Sequence, residues 1–554
     1  MRGLETGMDG EASVRRARAA RRAAVSLAIA ALGACGASVA SGCMYLGNHC
    51  WEEQTCDEPA PPAPPPAASP CDGDPGRAPA LDACGVFVRA QGDDRNPGTR
   101  ERPVKTLRRA IVLAAGGRRD GEAPTRRVYA CGETFEEAVV LPSGVDLWGG
   151  RSCADGDWSF GGADQLTTIA PGPAGVPVRV LDGGGARSTM FGVRVVAAEG
   201  SASDGKSSIG MILSQGAKVR VVESQVHTAD GKDGEPGEDA PRLRAKDGEY
   251  GNDGVNACTA EVATGAPPVI TECDGGIESI GGQGGDGYVE AGGDGSPGAP
   301  SSAESPVSGE GGLGADSERC SAGNPGAAGE DGWHGAGASG LGSLDVTGWV
   351  GVRGADGAPG GIGRGGGGGG GSRSRVDMIQ CRAGQPRGGA AGGSGGSGGC
   401  GGKAGLGGGF GGSSIGIVAL GGAEITVEAG TVVTGRGGHG GAGGTGQLGG
   451  AGLKGGQGGL GYGIDMWDAC PGGHGGNGGN GGNGGGGLGG HSIGVATVGV
   501  TKVSFERGAE FRLGAAGDGG PGASVREDEG GGGHGRSETW VVFAAAAQAE
   551  EPPR

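Results

Sequence analysis

Aromatic side chains are scarce in this chain of 554 residues, where eight Phe, five Tyr and seven Trp make up 4%. Glycine instead occupies 141 positions, about a quarter of the chain against a usual ~7%, so most of it cannot build an ordinary side-chain core. Any compact domain must come from local apolar islands. Proline is sparse for so glycine-rich a chain, at 30 residues, and apolar segments break the glycine spacing, which excludes a collagen triple helix with glycine at every third position. Basic charge is in deficit: 45 Lys and Arg against 63 Asp and Glu leave a net of −18. Phosphate backbones are bound through Lys and Arg, so no nucleic acid is expected as a partner. Long apolar runs are missing too, since residues 23–32 are too short to remain in a bilayer as a spanning helix.

Arg15, Arg16, Arg18, Arg21 and Arg22 precede that short apolar run, which is the layout of a secretory signal. Behind it, Leu32-Gly33-Ala34-Cys35 and Ala40-Ser41-Gly42-Cys43 both resemble the lipobox of bacterial lipoproteins. The resemblance implies that Cys35 or Cys43 carries lipid and that a membrane is the partner of that lipid. Leu32 and the short apolar run favour Cys35, whereas cysteine parity favours Cys43, because cleavage there leaves twelve other cysteines of the 14. A cleaved signal without lipid is the alternative. Residues 1–42 are read as a signal with lipobox and 43–84 as a proline-rich spacer, its run at 57–70 favouring extended polyproline II.

Residues 85–228 read as short β-branched strands punctuated by turn residues, at 86–88, 128–130, 138–141, 145–148, 166–169, 178–181, 191–196, 209–213 and 219–222. An all-β domain follows. Within residues 86–113, Val88, Gly92, Asp93, Asn96-Pro97-Gly98-Thr99, Pro103, Thr106-Leu107 and Ala110-Ile111 resemble the opening motif of right-handed parallel β-helix proteins of the pectate-lyase-like superfamily. The resemblance implies a first strand followed by a small amphipathic helix that plugs the end of a coil stack. Leu107, Ile111 and Ala114 recur at helical spacing on one face, as such a cap requires. It also implies that Cys131 and Cys153, 22 residues apart and thus about one coil apart, form a disulfide.

One unit is written three times: Ser208-Ile209-Gly210-Met211 with Lys218-Val219-Arg220-Val221, Ser414-Ile415-Gly416-Ile417 with Glu424-Ile425-Thr426-Val427, and Ser492-Ile493-Gly494-Val495 with Lys502-Val503-Ser504-Phe505. These are expected as successive coils, at 413–434 and 491–513 after the first. A fourth, degenerate copy at 344–350 is expected as a further coil, and Trp540-Val541-Val542-Phe543, within 538–554, as the closing strand. Glycine-rich arms fill 229–343, 351–412, 435–490 and 514–537, inserted at equivalent turns. Repeats of G-G-x, as in HGGNGGNGGNGGGG at 474–487, place every x on one edge of a threefold helix and leave two edges bare for close packing. The arms are therefore either polyglycine II-like bundles or disordered loops, since ordering glycine costs about 1–2 kcal/mol of backbone entropy per residue. Cys258, Cys273, Cys320, Cys381, Cys400 and Cys470 favour order, as staples formed in an oxidising compartment.

Three motifs resemble functional sites. Residues 200–207 match the phosphate-loop pattern G-x-x-x-x-G-K-S, but the next residues read as a strand, where a helix is needed. Residues 281–288 match one copy of a calcium-binding nonapeptide that works only in tandem. Gly-His-Gly occurs at His439, His474 and His534, similar to the histidine motif of polygalacturonases, without that family's paired carboxylates. No catalytic residue, cofactor or metal ligand is assigned. The expectation is a non-catalytic cell-envelope lipoprotein, outer-membrane-anchored, whose β-helix displays glycine arms for self-association or for contact with surface proteins, matrix or polysaccharide. The alternative is a carbohydrate-active β-helix enzyme, a polysaccharide lyase or hydrolase.

Overall fold

The computed structural model describes residues 69–119, 121–154, 156–301, 307–523 and 530–544. Cys35 and Cys43, with the signal and most of the spacer, lie outside the described residues. The chain from Pro70 onward forms one compact unit.

Three parallel sheets organise its apolar part. The first holds Val86–Val88, Arg127–Cys131, Asp146–Arg151, Ser188–Phe191, Lys218–Val222, Glu424–Glu428 and Lys502–Phe505. The second holds Thr134–Phe135, Thr167–Ile169, Val193–Ala197, Gln225–Thr228, Thr431–Val433 and Glu510–Arg512. In the third are Val139–Pro142, Val178–Leu181, Ser208–Leu213, Ser414–Ala419, Ser492–Val498 and Ser537–Phe543. From Arg127 on, the chain visits first, second and third sheet in turn, then returns to the first, so each strand pairs with those one coil before and after it. Strands buried on both faces read as continuous apolar runs, which is why Ser208–Leu213 and Ser414–Ala419 are buried throughout.

Alternate side chains fill the space between the sheets. Val128, Leu147, Met190, Val219, Ile425 and Val427 from the first sheet meet Met211, Ile417 and Val495 from the third. The helix Leu107–Gly116 closes one end with Leu107, Ala110, Ile111 and Ala114 buried, as the spacing predicts. Its free N–H groups are held by the Thr106 hydroxyl and by Glu137, whose carboxylate accepts from Leu107 N at 2.7 Å and Arg108 N at 3.2 Å.

Outward aromatics on the first sheet form a second cluster, in which Phe87, Tyr129, Trp148 and Phe191 pack under Trp158 and residues 71–84. Cys131–Cys153 closes as the coil length predicts, and Cys71–Cys84 ties the covering segment. Arg151, 2% exposed, lies between Tyr129 and Trp148 and donates to the Pro75 carbonyl at 2.7 Å. Burial lowers its pKa to about 10.

The repeated Ser-Ile-Gly has a physical cause. Gly210, Gly416 and Gly494 stack at one corner, where a Cβ on Gly210 would lie 2.7 Å from the Gly416 carbonyl oxygen. That bend turns Ile209, Ile415 and Ile493 outward onto a separate cluster while Met211, Ile417 and Val495 stay inside. The serines in turn close the roots of the insertions. Thr228 and Ser414 hydroxyls meet at 2.7 Å, Thr434 and Ser492 at 2.8 Å, and Ser537 donates to the Gly514 carbonyl at 2.8 Å. All three insertions, at 229–413, 434–491 and 513–536, thus leave after a second-sheet strand and return into a third-sheet strand.

Two expectations need correction. Residues 344–350 are not a coil: Ser343–Asp345 pairs antiparallel with Gly348–Val350 and joins none of the parallel sheets. This segment lacks the Ser-Ile-Gly corner, and Trp349, 1% exposed, covers the outward isoleucines of the third sheet. Residues 229–413 are consequently a single insertion. The run 191–196 is not one strand either, because Gly192, at φ 64°, turns the chain from the first sheet to the second.

Candidate functional site

Side chains hold the insertions only locally, in a small cluster of Ala257, Cys258, Ala390, Met466 and Ala469 and, at the root, through Trp349 and Leu488, so the question is where their backbone hydrogen bonds go. They go to one another, every third residue. Rod 472–490 donates from Gly475, Gly478, Gly481, Gly484, Gly487 and Gly490 to carbonyls of rod 437–456, and from Gly473, Gly476, Gly479, Gly482 and Gly485 to rod 355–370. It accepts from rod 393–411 at Gly473, Gly476, Gly479, Gly482, Gly485 and Leu488, and from rod 326–338 at His474, Asn477, Asn480, Asn483 and Gly486. At its far end, rod 517–523 donates to Gly490, Gly487 and Gly484, while Gly486 and Gly489 donate to rod 530–533. The six surrounding rods are also bonded to each other in a closed ring: for example Gly441 N to Gly409 O, Gly357 N to Gly405 O, Ala355 N to Ala336 O, Gly533 N to Ala338 O, Gly532 N to Gly520 O and Gly440 N to Asp518 O. A threefold rod with bare edges is therefore hexagonally packed.

Close approach is what demands glycine. A Cβ on Gly481 would overlap the Lys403 carbonyl oxygen, and one on Gly479 that of Glu330. Between them, Asn480 is exposed.

Where a rod lacks a neighbour, a short side chain replaces it. Along rod 436–460, the N–H groups of Arg436, His439, Thr445, Ala451 and Gln457 reach the carboxylates of Asp230, Asp233, Asp239, Asp247 and Asp253 at 2.6–2.8 Å, and Asn256 ends the series at Leu460. Hydrogen bonds from the Thr445 backbone and hydroxyl hold the Asp239 carboxyl below its usual range. The acidic excess of the chain serves here as a hydrogen-bond cap. Cys258–Cys381, Cys273–Cys400 and Cys320–Cys470 join segments 123, 127 and 150 residues apart within this bundle.

The motifs singled out by sequence take ordinary places. In residues 200–207, Asp204 accepts from Lys206 N, Ser207 N and the Ser207 hydroxyl, and the following Ser208–Leu213 is a strand. Lys206 pairs with Glu235. Residues 281–288 belong to a rod, with Gly282 and Gly285 donating to Gly366 and Gly369. His439 and His534 come together on Asp518, at 3.4 Å and 3.2 Å, and His474 stands apart from them. Among the described residues, no group of three or more His, Cys, Asp or Glu is placed to hold a metal ion.

On the exposed face of the stack, Glu424 bonds Arg187 at 2.7 Å and Lys218 at 3.1 Å, and Glu428 pairs with Arg220. Those bonds from Lys218 and Arg187 hold the Glu424 carboxyl below its usual range. That is the opposite of what a general acid requires. Asp146 is raised by burial, yet its carboxylate accepts from Thr189 N at 2.8 Å and faces Arg127, within the sheet.

A polar groove of about 420 Å³ lies in the bundle, over Asn477, Gly478 and Asn480 and between Gly329 and Gly449. Sequence reasoning missed it. The signal was present as Asn at every third position, 477, 480 and 483.

No protein-family model, curated protein or solved structure matches the chain.

Proposed function

We propose that this chain is a non-catalytic lipoprotein scaffold of the cell envelope, in which a right-handed parallel β-helix of the pectate-lyase-like kind carries a polyglycine II-like bundle as its contact surface. The observation that carries the reading is the common corner from which all three insertions leave and to which they return. It gathers them into one surface rather than scattering them as loops. Right-handedness is the rule for parallel crossovers, at about 98%. Among the described residues five disulfides are closed, which fits an exported protein, because reducing compartments keep thiols free.

In this reading, lipid on Cys35 or Cys43 anchors the chain at the outer membrane, the proline-rich segment spaces it, and the bundle meets surface proteins, matrix, polysaccharide or further copies. Labelled palmitate, followed by membrane fractionation, tests the anchor. Wild type is expected to carry label in the outer-membrane fraction, with label lost in either Cys35→Ser or Cys43→Ser. Unlabelled, freely soluble protein would remove the lipoprotein part of the proposal.

A further inference from the structure

The two ends of the coil stack differ. One is closed by the helix Leu107–Gly116, through Leu107, Ile111 and Leu113. At the other, the last strands are Lys502–Phe505, Glu510–Arg512 and Ser537–Phe543, each paired on one side only. Their inward side chains continue the interior columns of the stack: Phe505 follows Val427, Phe511 follows Val432, and Trp540 follows Val495. Val427 and Val495 are 1% and 0% exposed, whereas Phe505 is 41%, Trp540 45% and Val542 57% exposed. The interior is therefore open here, as an apolar mouth rimmed by three strand edges. Uncovered edges of this kind template pairing with another chain.

Two observations select what covers the mouth. Residues 545–554, AAAQAEEPPR, follow the last strand and offer only Ala and Pro as apolar side chains, nothing like the leucines and isoleucine that close the opposite end. A second copy of the mouth brings its own Phe505, Trp540 and Val542. The charges on the rim also match themselves. A two-fold axis across the mouth runs facing strands antiparallel, with one edge opposite its own copy and the other two edges opposite each other. Centred on Ser504, the edge Lys502–Phe505 sets Lys502 against the partner's Glu506 on the outside, twice over, and Val503 against the partner's Phe505 on the inside. Lys502 and Glu506 are exposed and form no ion pair among the described residues. On the edge Glu510–Arg512, by contrast, Glu510 and Arg512 already pair with each other at 3.1 Å.

We propose that the open end of the stack docks a second copy of this chain, mouth to mouth about a two-fold axis, with Lys502 and Glu506 as its self-complementary rim. Neither the lipid nor the contacts of the bundle enter the proposal, so its failure would leave the palmitate result untouched.

The test is sedimentation velocity of the full chain in detergent, over a range of concentrations. Wild type is expected to show a monomer–dimer equilibrium. Lys502→Glu and Glu506→Lys, both on exposed side chains, each set like charges opposite one another at two places, and each is expected to weaken the dimer about tenfold or more. Mixed in equal amounts, the two variants are expected to regain the dimer, because the mixed pair again sets acid against base at both places. A variant that had merely misfolded would not be rescued in this way. Deleting residues 545–554 is expected to leave the equilibrium unchanged. A monomeric wild type, a dimer indifferent to the single variants, a mixture no tighter than either variant alone, or a dimer that appears only after the deletion would each overturn the proposal.

Discussion

The coil stack and the rod bundle satisfy the same obligation, to pair every buried backbone group, with opposite means. In the stack, parallel strands leave room for side chains, and Val, Ile, Leu and Met fill the interior. Burying each such side chain contributes about 1.5–3 kcal/mol. In the bundle, backbone lies against backbone, and the residues that matter are those without a side chain. Hydrogen bonds in place of apolar burial contribute only about 0.5–1.5 kcal/mol each, so the bundle needs many of them and gains from covalent ties. The three disulfides that span more than 120 residues are all in the bundle, while the two in the stack side span 13 and 22.

That contrast can be broken at several points. Replacing Cys258, Cys273 and Cys320 with Ser removes three long-range links, each worth typically about 2–4 kcal/mol, and is expected to open the bundle while the stack survives. Hydrogen exchange by region is the readout, and simultaneous loss of both regions would mean that they are one cooperative unit. Ile417→Ala empties a fully buried site in the stack and is expected to cost about 2–5 kcal/mol in denaturant unfolding. Gly481→Val, which adds only apolar volume, is expected to cost about 3 kcal/mol or more, whereas the adjacent Asn480→Ala costs about 1 kcal/mol. Equal effects at positions 480 and 481 would contradict backbone-to-backbone packing.

A finer probe sits where the two regions join. His491, fully buried, accepts from Arg536 N at Nδ1 at 2.9 Å, donates from Nε2 to the Leu341 carbonyl at 3.0 Å, and packs on Trp349 and Phe543. Burial holds its pKa below the usual 6.5, against the opposing pull of the Leu341 carbonyl. The folded chain therefore keeps this ring neutral while the unfolded chain takes up a proton near 6.5. Stability from this group is present above that pH and is lost as pH falls through it toward the folded value. Thermal melts are expected to drop on acidification below about 6.5 in wild type, and less so in His491→Gln. An equal drop in both would place the pH dependence elsewhere.

Legibility in the sequence follows the same division. The stack announced itself because β-branched runs and the Ser-Ile-Gly corner are side-chain patterns, and residues 107–114 carried a helical one. Residues 344–350 misled because Leu344-Asp345-Val346 has the right polarity for a strand but no corner glycine. The bundle is harder to read. G-G-x gives the threefold period, yet which rods are neighbours has almost no side-chain code, so the partners of Cys258, Cys273 and Cys320 could not be read. The Asp caps at 233, 239, 247 and 253 are spaced by 6, 8 and 6 residues, which breaks the threefold period, and only their partners 204 or 206 residues away give them meaning. The Asn ladder was visible as composition and invisible as geometry.

The central claim is that glycine-repeat segments form a hydrogen-bonded hexagonal bundle as ordered as the strands that root it. Hydrogen exchange of peptides spanning 472–490, set beside the strand Ser492–Val498 that follows directly, tests it most directly. The account predicts slow exchange in both, with the central rod protected at every position but His474 and Asn477, because its other N–H groups lie against neighbouring carbonyls or caps. Complete exchange of 472–490 at the rate of an unstructured chain, beside a protected strand, would contradict it.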